Sequence, residues 1–485
     1  MKQKQGLLFT IALLFFLIFA AFLFKINGKS IFGYQIKFVS SNDFKKTSLK
    51  TDDSLVDNAD NPDKNDKNTN FVWPAKCIEF PLKSDIEIQN YVDGLIAGAK
   101  DSLNETAFKE SPFLVNAPIN GKYPLDAFFE NLNNIPVTHK LLRVGHYGDS
   151  QIEGDRMTNI FRKLFQSRFG GNGVGYLPMD DVTSPVSYTR RSDANWTRYT
   201  VFKNKLSGFA YGPGGSSYRY APATSATISL NLLSSYQKAT ILYGFGSDDS
   251  YLEVYTSGNQ LLGKLALNQK SVFNKVQLPL SSNEMSLRLV FTGNSPCIYG
   301  LTFDPLSGIQ FDNFGLRGQA GDGLLTIPKN QLVNMIDQTD TKMAVLQFGG
   351  NVVPGLRTEK MLNIYGDIYK KLYLYFKESV KSGSILIIGV NDVSRSVSGV
   401  YRSYPNISEL RYIQRKIAVE NGLAFFDVYQ FMGGENSIKT WNEKSLSSRD
   451  GHYSDKGRDI VCKELYKALI FEYNEFLKRK ALVKK

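Results

Sequence analysis

The chain opens with an apolar run, GLLFTIALLFFLIFAAFLF from Gly6 to Phe24, that contains no charged residue. As a helix rising about 1.5 Å per residue it would extend about 28 Å, close to the hydrocarbon thickness of a bilayer. The run is longer than the apolar core of a secretory signal, and Lys25 follows it without a small-residue cleavage site. The pattern therefore predicts one uncleaved N-terminal transmembrane helix within residues 1–30, with a cleaved signal peptide as the competing reading. Lys2 and Lys4 on one flank and Lys25 and Lys29 on the other orient it only weakly, and the default for a long following domain is export. The expected location is the inner (cytoplasmic) membrane, single-pass, with the body on the periplasmic or extracytoplasmic side. Residues 31–74 include SSNDFKKTSLKTDDSLVDNADNPDKNDKNTN, too polar to bury a core. They predict a disordered linker with a reach of tens of ångströms.

Beyond the linker the pattern becomes that of a folded body. SDIEIQNYVDGLIAGAKDSLN and PLDAFFENLNNI carry apolar residues at helical spacing, and HKLLRVGHYGDS reads as a buried strand followed by the helical QIEGDRMTNIFRKLFQSRFG. From about Tyr188 to Pro305 the periodicity shortens: ATISLNLL, KATILYGFG, SYLEVYTSG, MSLRLVFTG and CIYGLTFDP alternate between Gly, Ser and Asn turns, as in a β-sandwich or jelly roll. After Gly308 strands return at MAVLQFGG, SILIIGVND and LAFFDVY, separated by helical stretches, which implies a mostly parallel sheet. The simplest organisation is one α/β domain in two parts, residues 75–189 and 306–485, interrupted by a β module at residues 190–305.

Charge and cysteine content narrow the function classes. The formal net charge is +12, but the basic residues are scattered apart from the terminal KRKALVKK, and no aromatic and basic repeat suggests nucleic-acid binding. For an exported protein the balance fits anionic wall polymer or lipid headgroups better. Cys77, Cys297 and Cys462 lie far apart without metal-ligand spacing, so no metal is expected, at most one disulfide can form, and buried small hydrophobes are the simpler reading.

The candidate chemistry begins at Gly148-Asp149-Ser150, at the end of the HKLLRVGHYG strand, because open α/β sheets bind ligands outside the carboxyl ends of their strands. A serine hydroxyl needs a positioned base to accept its proton, and the chain offers His139, His146 and His452. His139 precedes the strand and reads as a surface or capping residue; His146 lies inside it and reads as structural. His452 sits in the polar loop SSRDGHYSDKGRDIV after the last strand, with Asp450 two residues earlier, where a carboxylate can fix the imidazole tautomer. Two Gly-rich turns, DNFGLRGQAG with Gly318 and QFGGNVV with Asn351, supply candidate donors to a developing oxyanion.

Taken in order, Gly148-Asp149-Ser150, Gly318, Gly349-x-Asn351 and the Asp450/His452 loop resemble the sequence blocks of the SGNH (GDSL-like) hydrolase superfamily, over roughly residues 75–190 and 305–475. The resemblance implies a flavodoxin-like three-layer α/β/α sandwich. It also implies Ser150 as nucleophile, Gly318 and Asn351 as oxyanion donors and His452 as base. One position departs: the superfamily's Asp stands three residues before the His, where this chain has Arg449. That leaves open whether Asp450 orients His452 or a backbone carbonyl does. The D-x-H spacing resembles that of some polysaccharide O-acetyltransferases of the superfamily. HYGDSQIEGD with a β module before the Gly block resembles bacterial peptidoglycan O-acetylesterases carrying a carbohydrate-binding-like jelly roll.

The activity so implied is removal of O-acetyl groups from cell-wall or envelope polysaccharide by a membrane-anchored serine esterase, with an O-acetylated glycan as substrate and no cofactor. Two alternatives stand beside it. One is a polysaccharide O-acetyltransferase served by a membrane-bound O-acyltransferase; the other is a non-catalytic glycan-binding envelope protein. In the β module Tyr218, Tyr220, Tyr243 and Tyr251 read equally as core residues or as sugar-stacking platforms.

Overall fold

A computed structural model describes residues 83–483 except 100–102, 207, 209, 222–223 and 281–283, together with residues 30–31 and 34–35. The chain divides into two units, Met1–Trp73 and Pro74–Lys485. In the first, Ser30–Ile31 pairs antiparallel with Tyr34–Gln35. The apolar run Gly6–Phe24, nearly all of the linker and Cys77 lie outside the described residues. Among the described residues no helix is long and apolar enough to cross a membrane.

The second unit is built on a six-stranded sheet in the order Gly308–Gly315, Leu141–Gly148, Thr341–Gln347, Ser384–Ile388, Ala424–Phe426 and Leu114–Val115. The first five are parallel and the last is antiparallel. Alternation along Leu141–Gly148 shows why both faces are covered. Leu142, Val144 and His146 face one way, where Phe161 of the helix Thr158–Phe169 lies 5.9 Å from the His146 ring. Tyr147 faces the other way, with its ring 4.6 Å from Phe376 of the helix Glu359–Ser379. The result is the expected three-layer α/β/α sandwich. The pairing register sets Gly315, Gly148, Gln347, Ile388 and Phe426 abreast at the carboxyl edge. Glycine at 148 lets the strands approach closely there, since a Cβ would stand 3.0 Å from the Gln347 carbonyl and from the Ile152 side chain.

Between Phe169 and Gly308 the chain forms two antiparallel sheets. One joins Asn274–Gln277, Lys238–Gly244, Cys297–Asp304, Ser216–Tyr220 and Trp196–Thr200, with Gly175–Leu177 also on Cys297–Asp304. The other runs Leu261–Ala266, Tyr251–Thr256, Ser286–Thr292, Ala226–Leu232 and Tyr188–Ser192. Their inner faces share one apolar core that includes Ile228, Leu230, Ile241, Val254, Leu289 and Phe303. Tyr218, Tyr220 and Tyr243 are buried, so for these three the core reading holds. Tyr251 is partly exposed, with the Lys264 ammonium 4.7 Å from its ring centroid. Gly175–Leu177, short and preceded by glycines, gives no alternating signal in the sequence, yet it pairs with Cys297–Asp304.

A buried ion triad holds the β module to the sheet. Arg143, in the strand that leads to Ser150, places Nη1 2.8 Å from Asp312 Oδ2 and Nη2 2.7 Å from Asp304 Oδ2. Asp312 lies on the neighbouring parallel strand and Asp304 ends the module's last strand. Asp312 also accepts from the backbone N–H of Tyr176 at 3.0 Å. Breaking such a buried cluster on one side leaves charge without a partner. Arg143→Met is therefore expected to lower unfolding free energy by about 3–5 kcal/mol. Adding Asp304→Asn and Asp312→Asn should recover part of the loss, both read by denaturant titration.

Candidate active site

Ser150 follows the strand end at Gly148, and the turn after it is a short 3₁₀ segment, Glu153–Asp155, that leads into Thr158–Phe169. His452 lies in a tight loop between the helices Ser437–Glu443 and Asp455–Val483, closed by a bridge between Ser447 and Tyr453. The fold brings these distant segments together: Ser150 Oγ is 2.7 Å from His452 Nε2. On the other side of the ring, His452 Nδ1 is 3.0 Å from Asp450 Oδ2, the side chains being 40% and 68% exposed. Asp450 Oδ1 accepts from the Ser448 hydroxyl and from the His452 backbone N–H. Partial burial works against the Asp450 charge, but hydrogen bonds from Ser448 and His452 outweigh it and hold the carboxyl below its ordinary value. Of the two arrangements left open by the D-x-H spacing, the side-chain carboxylate is the one in contact with Nδ1.

The oxyanion candidates come from the adjacent loops. Gly318 is exposed in the turn after Gly308–Gly315, and Asn351 follows Thr341–Gln347. The Asn351 amide nitrogen donates to Asp149 Oδ2 at 2.9 Å and to the Gln319 carbonyl at 3.1 Å. Its orientation is thus set by the residue before Ser150 and the residue after Gly318. Asp149 is buried and also accepts from the Gln151 backbone N–H at 2.9 Å. Burial pushes its carboxyl up to about 6, opposed by the Gln151 hydrogen bond, nearby His452 and Asn351.

Several site residues were not singled out by the sequence. Glu153, buried in the turn that carries Ser150, pairs with Arg317 at 2.7 Å and accepts from the Thr183 hydroxyl at 2.7 Å. It thereby ties the Gly318 turn to the turn that carries Ser150. Arg156 donates to the backbone carbonyls of Ser150 and Glu153. Gln151 reaches the His452 loop. The available signal was a run of polar and charged residues, Asp149, Gln151, Glu153 and Asp155, in a turn between a buried strand and a helix. All four are buried, and buried polar groups need specific partners.

The other histidines stay apart from the chemistry. His146 is fully buried between Thr158 Oγ1 at 2.9 Å and Gln347 Oε1 at 3.1 Å, and burial lowers it to about 4. His139 caps the helix Ile135–Thr138 in a left-handed conformation. Cys297 and Cys462 are buried free thiols. Among the described residues no group of three or more His, Cys, Asp or Glu side chains is placed to hold a metal.

The elevated Asp149 carboxyl makes a pH prediction. Because its folded value of about 6 exceeds the ordinary 3.8, its favourable contribution is complete below the ordinary value and is lost as pH rises through about 6. Asp149→Asn should remove this share of the pH dependence, on the order of 1 to 3 kcal/mol, in denaturant titrations between pH 4 and 8. If Asn351 serves as an oxyanion donor, the same variant is expected to lower kcat about tenfold or more, because an amide in place of the carboxylate disturbs the bond that orients Asn351.

No family model and no curated protein matches the sequence. Among solved structures the chain is similar to a peptidoglycan O-acetylesterase, at 18% identity and TM-score 0.61, over 75% of this chain and 99% of that one. Two further matches are partial: an acetyl xylan esterase, at 15% identity and TM-score 0.27 over 33% of this chain and 81% of that one, and a GDSL-like lipase from Parabacteroides merdae, at 16% and 0.27 over 33% and 74%. The extended match shows that the body of this chain, a parallel α/β/α sandwich with a β module, shares its fold with that peptidoglycan O-acetylesterase.

Proposed function

We propose that the chain is a serine esterase of SGNH type that removes O-acetyl groups from cell-wall or envelope polysaccharide. The observation that carries this reading is the contact of 2.7 Å between Ser150 Oγ and His452 Nε2, continued by Asp450 at 3.0 Å from Nδ1. The fold likeness to a peptidoglycan O-acetylesterase supports an acetylated glycan as the substrate class. The apolar run Gly6–Phe24 supports attachment to the inner membrane, with the body on the extracytoplasmic side.

In this reading His452 Nε2 takes the Ser150 proton as Oγ attacks the acetyl carbonyl, and Asp450 stabilises the imidazolium so formed. The oxyanion is met by the backbone N–H groups of Ser150 and Gly318 and by the Asn351 amide, which exchanges one of its present bonds for the new one. Collapse of the adduct breaks the ester bond, and the sugar oxygen leaves with the proton from His452. Water, deprotonated by His452, then releases acetate from Ser150. No metal or organic cofactor enters these steps.

A second reading, transfer of the acetyl group to a sugar hydroxyl with a membrane-bound O-acyltransferase as donor, is favoured by the D-x-H spacing, with Asp450 in contact with His452. The non-catalytic reading is disfavoured by the same contacts.

The deciding assay is acetate release from O-acetylated peptidoglycan and from an aryl acetate by the full chain and by Ser150→Ala. The expected result is release by the parent and none by the variant. Acetate appearing only on an added glycan acceptor would replace hydrolysis by transfer. Because Asp450 is largely exposed, Asp450→Ala should lower kcat by about 10²-fold, well short of the ~10⁴-fold or greater loss expected for His452→Ala.

A further inference from the structure

Resting on that reading of the site, we infer that Gln151 is a positioning residue that sets the Ser150–His452 contact by gripping the base's loop on both sides of the histidine. Its carboxamide is buried and makes two bonds to that loop. Nε2 donates to the Gly451 carbonyl at 2.9 Å, and Oε1 accepts from the Tyr453 backbone N–H at 3.1 Å. Gly451 and Tyr453 are the two neighbours of His452. One side chain, adjacent in sequence to the nucleophile, therefore fixes the peptide groups before and after the base.

The grip belongs to a larger suspension of the same loop. The Gly451 carbonyl also accepts from Asn391 Nδ2 at 2.9 Å, and the Arg449 carbonyl accepts from Ser394 Oγ at 2.7 Å. Asn391 and Ser394 lie just beyond the strand Ser384–Ile388. Gly451 itself has φ 87°, and a Cβ would stand 2.8 Å from Asn391 Nδ2. These contacts anchor the loop to the body, whereas Gln151 anchors it to the turn that carries Ser150. Of these contacts, only those of Gln151 run directly from the turn that carries Ser150 to the loop that carries His452. An amide suits the role without having to be protonated, because the loop presents one acceptor and one donor and Gln offers both kinds of partner.

The test compares the full chain with Gln151→Met, which keeps length and loses both bonds, and Gln151→Glu, which keeps the acceptor and loses the donor. Capture of Ser150 by a fluorophosphonate probe reads nucleophile activation without an acetyl substrate. Aryl acetate turnover reads kcat and KM, and melting temperature reads folding. The expected result for Gln151→Met is a fall in both kcat and probe capture of about 10- to 100-fold with KM nearly unchanged. In Gln151→Glu the ionised carboxylate opposes the Gly451 carbonyl, and a protonated one can donate to it. Its probe capture relative to the parent should therefore rise as pH falls. Capture and kcat within about twofold of the parent in Gln151→Met, or losses in it that vanish at temperatures well below its melting point, would overturn the inference. If the parent captures the probe but releases no acetate, the esterase reading fails, while the ratio of capture rates still decides the role of Gln151.

Discussion

Parallel pairing in register is the constraint on which the site depends. It sets Gly315, Gly148 and Gln347 side by side at one edge of the sheet, so the segments leaving those strands, with Gly318, Ser150 and Asn351, emerge as neighbours. Strand ends fixed by a hydrogen-bonded ladder vary little in position, which suits chemistry that tolerates errors well below an ångström. His452 comes from farther along the chain, and its loop is hung from the Ser384–Ile388 strand by Asn391 and Ser394. The sheet thus supplies the frame for both partners of the dyad.

Within that frame the nucleophile turn is the point where the loops meet. Asp149 directs Asn351, Ser150 meets His452, Gln151 holds the histidine's neighbours, and Glu153 pairs with Arg317 beside Gly318. Of these groups Asp149, Gln151 and Glu153 are polar and buried. The local low dielectric makes each bond stronger and each missing partner more costly. The raised Asp149 carboxyl is one expression of that cost: the group is kept buried because Asn351 needs an acceptor there.

The sequence showed the chemistry more clearly than the sheet that positions it. Ser150, His452 and Asp450 stand out because the chain has only three histidines and one of them sits in a loop beside a carboxylate, where a strand-end serine would find its base, and the fold brings His452 into contact with both others. The edge strand Gly308–Gly315 escaped the hydrophobic pattern because Gln310 and Asp312 occupy its interior positions. Their partners, Arg143, Gln166 and the Phe303 carbonyl, lie elsewhere in the chain, and periodicity carries no information about them. Gln151 and Glu153 were passed over for the same reason: their importance lies in what they touch across the fold. Tyr218, Tyr220 and Tyr243, ambiguous by type alone, are resolved as core by packing between the two sheets.

The exposure of the dyad's far side has its own meaning. With Asp450 more than half open and His452 partly so, the reacting centre sits on a rim rather than at the bottom of a pit. In the proposed function such exposure would suit a polymeric substrate approached along its length rather than by a threaded end. In the proposed reaction the same openness would admit bulk water to an acyl-enzyme from the side of the base. Hydrolysis needs that access, whereas transfer to a sugar would need water to be shut out.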